Sequence, residues 1–339
     1  MDELAQLKST AISAVIGPTF KTYARLLLAN KASILSIPST TLPYGSHPRQ
    51  TLDIYSSPAP KANSPILIFL YGGGLTRGDK IIPPIPERLA YHNLGAFFAE
   101  NGYTTIIPDY RRVDDAKEGT GEGAVFPSGG DDIALVLEWL GSTYLKDNEQ
   151  GRDVFLMGNS AGGVHLSTFL MWSKFLEQRR KLLQSTKLRV AGAVLLSVPL
   201  DFQGATAVRQ RMLDTYWPSS LSKDPSNSIP SYVQFDPAGL LQILASEDGA
   251  KGKKPADFGI PPVLAAVGEF DPEDEIVDSM KRFRTAWGDI FGESDEIELL
   301  EIEGHNHISP PLSLKAGEAR EDKWGNDVVA WMDRISKRA

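Results

Sequence analysis

The sequence predicts an α/β fold: a mostly parallel central sheet with helices on both faces and a cap insertion. Three observations carry that expectation. Short apolar runs alternate with longer helical patterns along the chain. Four of the runs are rich in Ile, Leu or Val without polar alternation and are ended by Gly, Asp or Pro, as expected of strands buried on both faces. The stretches between them are long enough for right-handed helical crossovers, which parallel neighbours require.

The elements follow in chain order. Residues 1–30, including 20–28, form a helical pattern ahead of the sheet. Residues 34–37 and 51–55 read as strands separated by the Pro43-Tyr44-Gly45 turn cluster, an antiparallel start. The four strongly apolar runs are 65–70, 104–108, 154–157 and 190–197, with helices at about 85–101, 130–144 and 161–184. Two further strands, 263–267 and 296–302, flank a helix over 272–291, and 327–337 makes a terminal amphipathic helix. Residues 203–258, with Pro218, Pro225, Pro230 and Pro237, do not fit the alternation. An insertion after a parallel strand lies at the carboxyl edge of the sheet, where open α/β folds bind ligands. The expected organisation is therefore an N-terminal helical segment (1–44) contributing to a cap, a core (45–202 and 259–339) and a cap insertion (203–258).

Composition narrows the function. With 339 residues, 42% hydrophobic and 23% charged, the chain can bury a sizeable core. Its 35 Lys and Arg against 43 Asp and Glu give a net charge of −8, which argues against a nucleic-acid partner. The absence of cysteine rules out disulfides, thiolate metal sites and a Cys nucleophile. Met1-Asp2-Glu3-Leu4 lacks the basic start and apolar run of a secretion signal, and no stretch approaches the ~20 apolar residues of a membrane span. A cytoplasmic location and a small-molecule partner are the expectation. Oligomeric state stays open, a homodimer included.

The most specific chemical signal is an apolar run entering Gly158-Asn159-Ser160-Ala161-Gly162-Gly163 and then a helix, the G-x-S-x-G nucleophile elbow in its required context. The sharp turn demands small residues at 158 and 162 and presents the Ser160 hydroxyl at the positive end of the next helix. A serine hydroxyl needs a base, and the base needs an orienting acid. Five histidines limit the search. His47 and His92 lie in a turn and a helix, and His165, five residues beyond Ser160 on one helix, points elsewhere. His305 and His307, in Glu303-Gly304-His305-Asn306-His307-Ile308-Ser309, follow the last predicted strand. His307 is preferred, with His305 fixing the loop or bordering the pocket. No third ligand stands at a metal-site spacing beside this pair, so no metal or cofactor is expected. The acid belongs at the end of the preceding strand, where Asp271 sits just before Pro272; Glu269 and Asp201 are the alternatives. Backbone amides approach an oxyanion only where side chains are absent, so Gly73 and Gly74, with Ala161 from the elbow, are the expected donors.

These pieces, in the order Ser160, Asp271, His307, resemble the α/β-hydrolase superfamily, and within it the hormone-sensitive-lipase-like and kynurenine-formamidase-like esterases, over about residues 45–335. Gly72-Gly73-Gly74 followed by Gly78-Asp79-Lys80 is similar to their glycine loop. Pro108-Asp109-Tyr110-Arg111, Phe126-Pro127 leading through Asp131-Asp132 to Trp139-Leu140, and the second elbow glycine Gly163 match further family positions. Tyr71 stands where the family usually has a loop-bracing His, and Leu75 where a Trp is frequent. His307-Ile308-Ser309 fits the family's pattern after the base better than His305 does.

The resemblance implies a serine hydrolase cleaving a carboxylic ester of a small hydrophobic or aryl substrate through an acyl-enzyme. Tyr71, Leu75, Tyr216 and Trp217 are the expected substrate-binding residues. The same elbow could instead serve an amide, lactone or thioester hydrolase, an acyltransferase or a cyclisation catalyst, and the scaffold could carry a non-catalytic ligand receptor.

Overall fold

The computed structural model describes residues 2–59, 63–114, 122–148, 150–222, 228–247, 249–250 and 252–337; Pro225 lies outside them. Among the described residues one sheet holds β1 (Ser39–Pro43), β2 (Thr51–Tyr55), β3 (Ile66–Leu70), β4 (Thr104–Pro108), β5 (Arg152–Asn159), β6 (Leu188–Leu196), β7 (Val263–Phe270) and β8 (Glu298–Asn306). Their spatial order is β1-β2-β4-β3-β5-β6-β7-β8. β2 runs antiparallel to both β1 and β4, and every later pairing is parallel.

The longer helices are α1 (Ile12–Ala29), α2 (Leu89–Glu100), α3 (Ser128–Trp139), α4 (Ala161–Met171), α5 (Leu176–Gln184), α6 (Ala207–Tyr216), α7 (Pro237–Glu247), α8 (Asp278–Phe291) and α9 (Lys323–Lys337). Successive strand residues point to opposite faces. Ile66, Ile68 and Leu70 of β3 therefore join one apolar cluster with α3, α4, α7 and α8, while Leu67 and Phe69 join a second with α2 and α9. Both faces being covered explains why β3 and β4 are buried along their whole length and read as unbroken apolar runs.

Three expectations change. Residues 34–37 are not a strand: Lys31–Ile34 is a helical turn, and Ile34 and Ile37 are buried while the two residues between them are exposed. That spacing of three belongs to a coiled backbone. The strand that pairs with β2 is Ser39–Pro43, exposed at all five positions, so it leaves no apolar pattern to read. The sheet thus begins at residue 39. The helix expected over 161–184 is broken at Trp172, whose ψ of 132° is extended. Arg179, 2% exposed, donates to the carbonyls of Phe169 and Trp172 at 2.8 and 2.7 Å and so satisfies acceptors that the break leaves free. At the carboxyl end of the molecule, α9 begins at Lys323, four residues earlier than the apolar pattern suggests.

Between β6 and β7 the regular elements among the described residues of the insertion are all helical, with no strand. Leu240, Leu241 and Leu244 of α7 share the apolar cluster of α4. The amide of Ala238 donates to Leu200 O at 2.9 Å, and Asp236 accepts the amide of Phe202 at 2.8 Å, tying the middle of the insertion to the residues that lead into it.

Candidate active site

β5 ends at Asn159 and α4 begins at Ala161, so a single residue makes the turn. That residue is Ser160, at φ 51° and ψ −119°, a conformation an L side chain adopts only under constraint. The constraint is visible: its amide donates to Leu196 O at 3.0 Å, and a Cβ on Gly162 would lie 2.2 Å from Leu70 O. The elbow is wedged between β3 and β6, and its hydroxyl is left partly exposed.

β7 and β8 deliver the other two groups. Phe270 and Asn306 are register partners at the ends of these strands, after an irregularity between Gly268 and Phe270. Asp271 and His307 are the next residues of each, so one loop start lies beside the other. His307 Nδ1 is 2.9 Å from Asp271 Oδ1, and His307 Nε2 is 2.9 Å from Ser160 Oγ. An ionised carboxylate only accepts, so Nδ1 carries the proton and Nε2 is free to accept from the serine hydroxyl. Asp271 and His307 are each 3% exposed. The second oxygen of Asp271 accepts from Ser197 Oγ at 2.6 Å and from the Gly268 amide at 2.7 Å. Sequence reasoning missed Ser197, which follows β6 with φ 49° and belongs to no local motif.

The remaining histidines and acids have other partners. His305 is 1% exposed, with Nδ1 3.0 Å from Ser309 Oγ. His165 Nδ1 is 3.2 Å from Tyr216 Oη, His92 Nε2 is 2.7 Å from Ile37 O, and His47 Nδ1 accepts the Arg49 amide. Asp201 is forked by Arg282 at 2.8 and 3.1 Å, and Glu269 accepts the Gly304 amide at 2.7 Å. Among the described residues no three His, Asp or Glu side chains cluster as a metal ion would need.

Burial lowers His165 and His305 to about 3 from an ordinary 6.5. Between those values the unfolded chain binds protons that the folded chain does not, so stability is fully present above pH 6.5 and falls as pH drops toward 3. Each histidine contributes a loss of about 1.4 kcal/mol per pH unit in that window. Denaturant unfolding between pH 7 and 5 should show this slope in the wild type and a reduced one in His165→Gln. An unchanged slope would count against the buried neutral imidazole.

The glycine loop follows β3. A Cβ on Gly72 would stand 3.0 Å from Ser160 Cβ, and one on Gly73 would fall 2.0 Å from Arg77 O, so this backbone closes on itself beside the serine only without side chains. Gly74 has φ 62°. Ala161, the first residue of α4, has an amide without an intrahelical acceptor. Beneath the loop the conspicuous sequence motifs converge. Tyr71 Oη donates to Asp109 Oδ1 and accepts from Arg49 Nη2, both at 2.6 Å. Arg49 and Arg112 also donate to Gly78 O, and Lys80 Nζ lies 3.1 Å from Asp53 and 3.5 Å from Asp109. Burial, reinforced by the Asp109 charge, pushes the Tyr71 phenol well above its usual value, so it stays a proton donor.

The four residues expected to bind substrate are all buried. Tyr71 is fully buried, stacked on Tyr110 and Tyr91 with centroids 4.9 and 5.6 Å away, and braces the loop from below. Tyr216 and Trp217 are also fully buried: Tyr216 stands edge-on to Trp217 at 4.5 Å, and Trp217 lies 5.5 Å from Phe202. Leu75, at φ 70°, is 3% exposed within the same apolar cluster. Large aromatics gain most from complete burial, and composition alone does not separate a pocket wall from a core.

Fold and topology define the class: an α/β-hydrolase fold, an eight-stranded, mostly parallel sheet with helices on both faces. Esterase B from Lactobacillus rhamnosis superposes with a TM-score of 0.63 at 17% identity, covering 96% of each chain. Esterase LipW from Mycobacterium marinum gives 0.55 at 16% identity, covering 96% of this chain and 91% of that one. The chain belongs to the BD-FAE family, whose model matches residues 52–235. It is also 31% identical over 137 residues to a probable isoprenylcysteine alpha-carbonyl methylesterase of Oryza sativa subsp. japonica. That stretch is 40% of this chain and 29% of the rice protein. Among the described residues no helix is long and apolar enough to cross a membrane.

Proposed function

We propose that this protein is a serine hydrolase that cleaves a carboxylic ester of a small hydrophobic or aryl substrate. The observation that carries the reading is one imidazole bridging Ser160 and Asp271 at 2.9 Å on each side. Ser160 Oγ attacks the ester carbonyl while His307 Nε2 takes its proton. Asp271 holds the imidazole and stabilises its charge; Gly73, Gly74 and Ala161 amides receive the oxyanion. The tetrahedral intermediate collapses as His307 returns the proton to the leaving alkoxide. Water, activated by the same imidazole, then releases the acid and regenerates Ser160. The esterase names among the relatives support an ester substrate. Residues 203–258 serve as the cap in this reading, tied to the sheet edge through Leu200 and Phe202.

A fluorophosphonate probe should label the wild type at Ser160, located by peptide mass, and p-nitrophenyl esters of graded chain length should be turned over with the free acid as product. Unlabelled protein that binds small molecules without turnover would point to a receptor. Product carried onto an added alcohol in preference to water would move the reading to acyl transfer.

A further inference from the structure

The turn that carries His307 is built by its neighbour. Asn306 Oδ1 accepts the amides of Ile308 and Ser309 at 3.0 and 3.1 Å, and the Asn306 amide donates to Ser309 Oγ at 3.0 Å. His307 therefore lies inside a loop closed by one carboxamide. That carboxamide works only in one orientation, oxygen toward the two amides. Its nitrogen, pointing the other way, donates at 2.9 Å to Thr19 Oγ1 on α1, 287 positions away in sequence. Thr19 and Asn306 are 0% and 1% exposed.

Thr19 is out of place by the logic of its own helix. The buried stripe of α1 is Val15, Thr19, Tyr23 and Leu27, a spacing of four that faces the protein. A valine would fill the position of Thr19 with nearly the same shape, and the hydroxyl is used on Asn306. Tyr23 repeats the device one turn later: its hydroxyl donates at 2.7 Å to Glu321, itself 0% exposed, and the same Glu321 oxygen lies 3.9 Å from His305 Nε2. Both polar atoms of the stripe reach the segment that begins with the histidine pair.

We infer that Thr19 is a positioning residue for the reaction, acting through Asn306 on the His307 imidazole, so that α1 is a working part of the catalytic apparatus. This rests on the hydrolase reading above. Without the Thr19 acceptor, Asn306 Nδ2 becomes a buried donor with no partner on α1, and the carboxamide turns or the loop loosens. A misplacement of about 1 Å at a reacting group can cost about 10²-fold in rate.

The test uses the full chain with p-nitrophenyl butyrate and three proteins: wild type, Thr19→Val and Thr19→Ser. Thr19→Val should lower kcat by about 10- to 100-fold with KM little changed, and Thr19→Ser, which keeps the oxygen, should restore most of it. Proton NMR supplies a readout independent of turnover: the His307 Nδ1–H resonance, carried downfield by its bond to Asp271, should shift or broaden in Thr19→Val and return in Thr19→Ser. Wild-type kcat and resonance in Thr19→Val overturn the inference. So does a loss that tracks the thermal midpoint and is not rescued by serine. An inactive, unlabelled wild type would instead overturn the hydrolase reading, with the resonance still deciding whether Thr19 holds the imidazole.

Discussion

Ser160→Ala should lower kcat on p-nitrophenyl esters by roughly 10⁴- to 10⁶-fold while leaving a folded protein with an unchanged or slightly higher unfolding midpoint. In the proposed mechanism the oxygen removed is the attacking atom, and its loss takes nothing from the core, since Ser160 is held at φ 51° with its amide bonded to Leu196 O of β6. His307→Ala should be about as severe. The double variant should be little worse than either single one, because nucleophile and base act as a unit. His305→Ala should be milder, weakening turnover through the loop without abolishing it: its Nδ1 faces Ser309 at 3.0 Å, away from the hydroxyl. Equal losses in the two histidine variants would leave the base unassigned, and retained activity in His307→Ala would remove the mechanism.

Asp271→Asn should lower kcat by about 10⁴-fold, because an amide in place of the carboxylate favours the wrong imidazole tautomer and no longer stabilises the imidazolium. The shape of the site survives, so KM should change little. Ser197→Ala should cost far less, about tenfold, since the Gly268 amide at 2.7 Å still holds the same carboxylate oxygen. Steady-state kinetics of the two variants beside wild type would check both values. A loss in Ser197→Ala as deep as in Asp271→Asn would mean that the hydroxyl fixes the acid by itself.

Much of the sheet was legible because local physics writes it into the chain. Strands covered on both faces have no room for polar residues, so β3 and β4 announce themselves as apolar runs. The elbow is legible for a similar reason: its neighbours Leu70, Tyr71 and Gly163 leave no volume for side chains at 158 and 162. The edge strand Ser39–Pro43 was not legible, since an exposed strand is under no demand to be apolar. The role of the insertion's aromatics was not legible for the converse reason: burial as core and burial under a ligand select the same residue types.

What the sequence determined by itself was which chemistry is available and in what order: one serine on a strand-to-helix turn, no thiol, five imidazoles and a glycine run after the first apolar strand. Tertiary structure alone supplied the distances that join Ser160, His307 and Asp271 and the partners Ser197, Asn306 and Thr19 around them. The first kind of fact follows from steric and periodic constraints acting within a few residues. The second depends on side-chain direction across elements tens to hundreds of positions apart, where a rotation within one turn decides whether two atoms stand 2.9 Å apart, as Nε2 of His307 and Oγ of Ser160 do, or face different partners altogether.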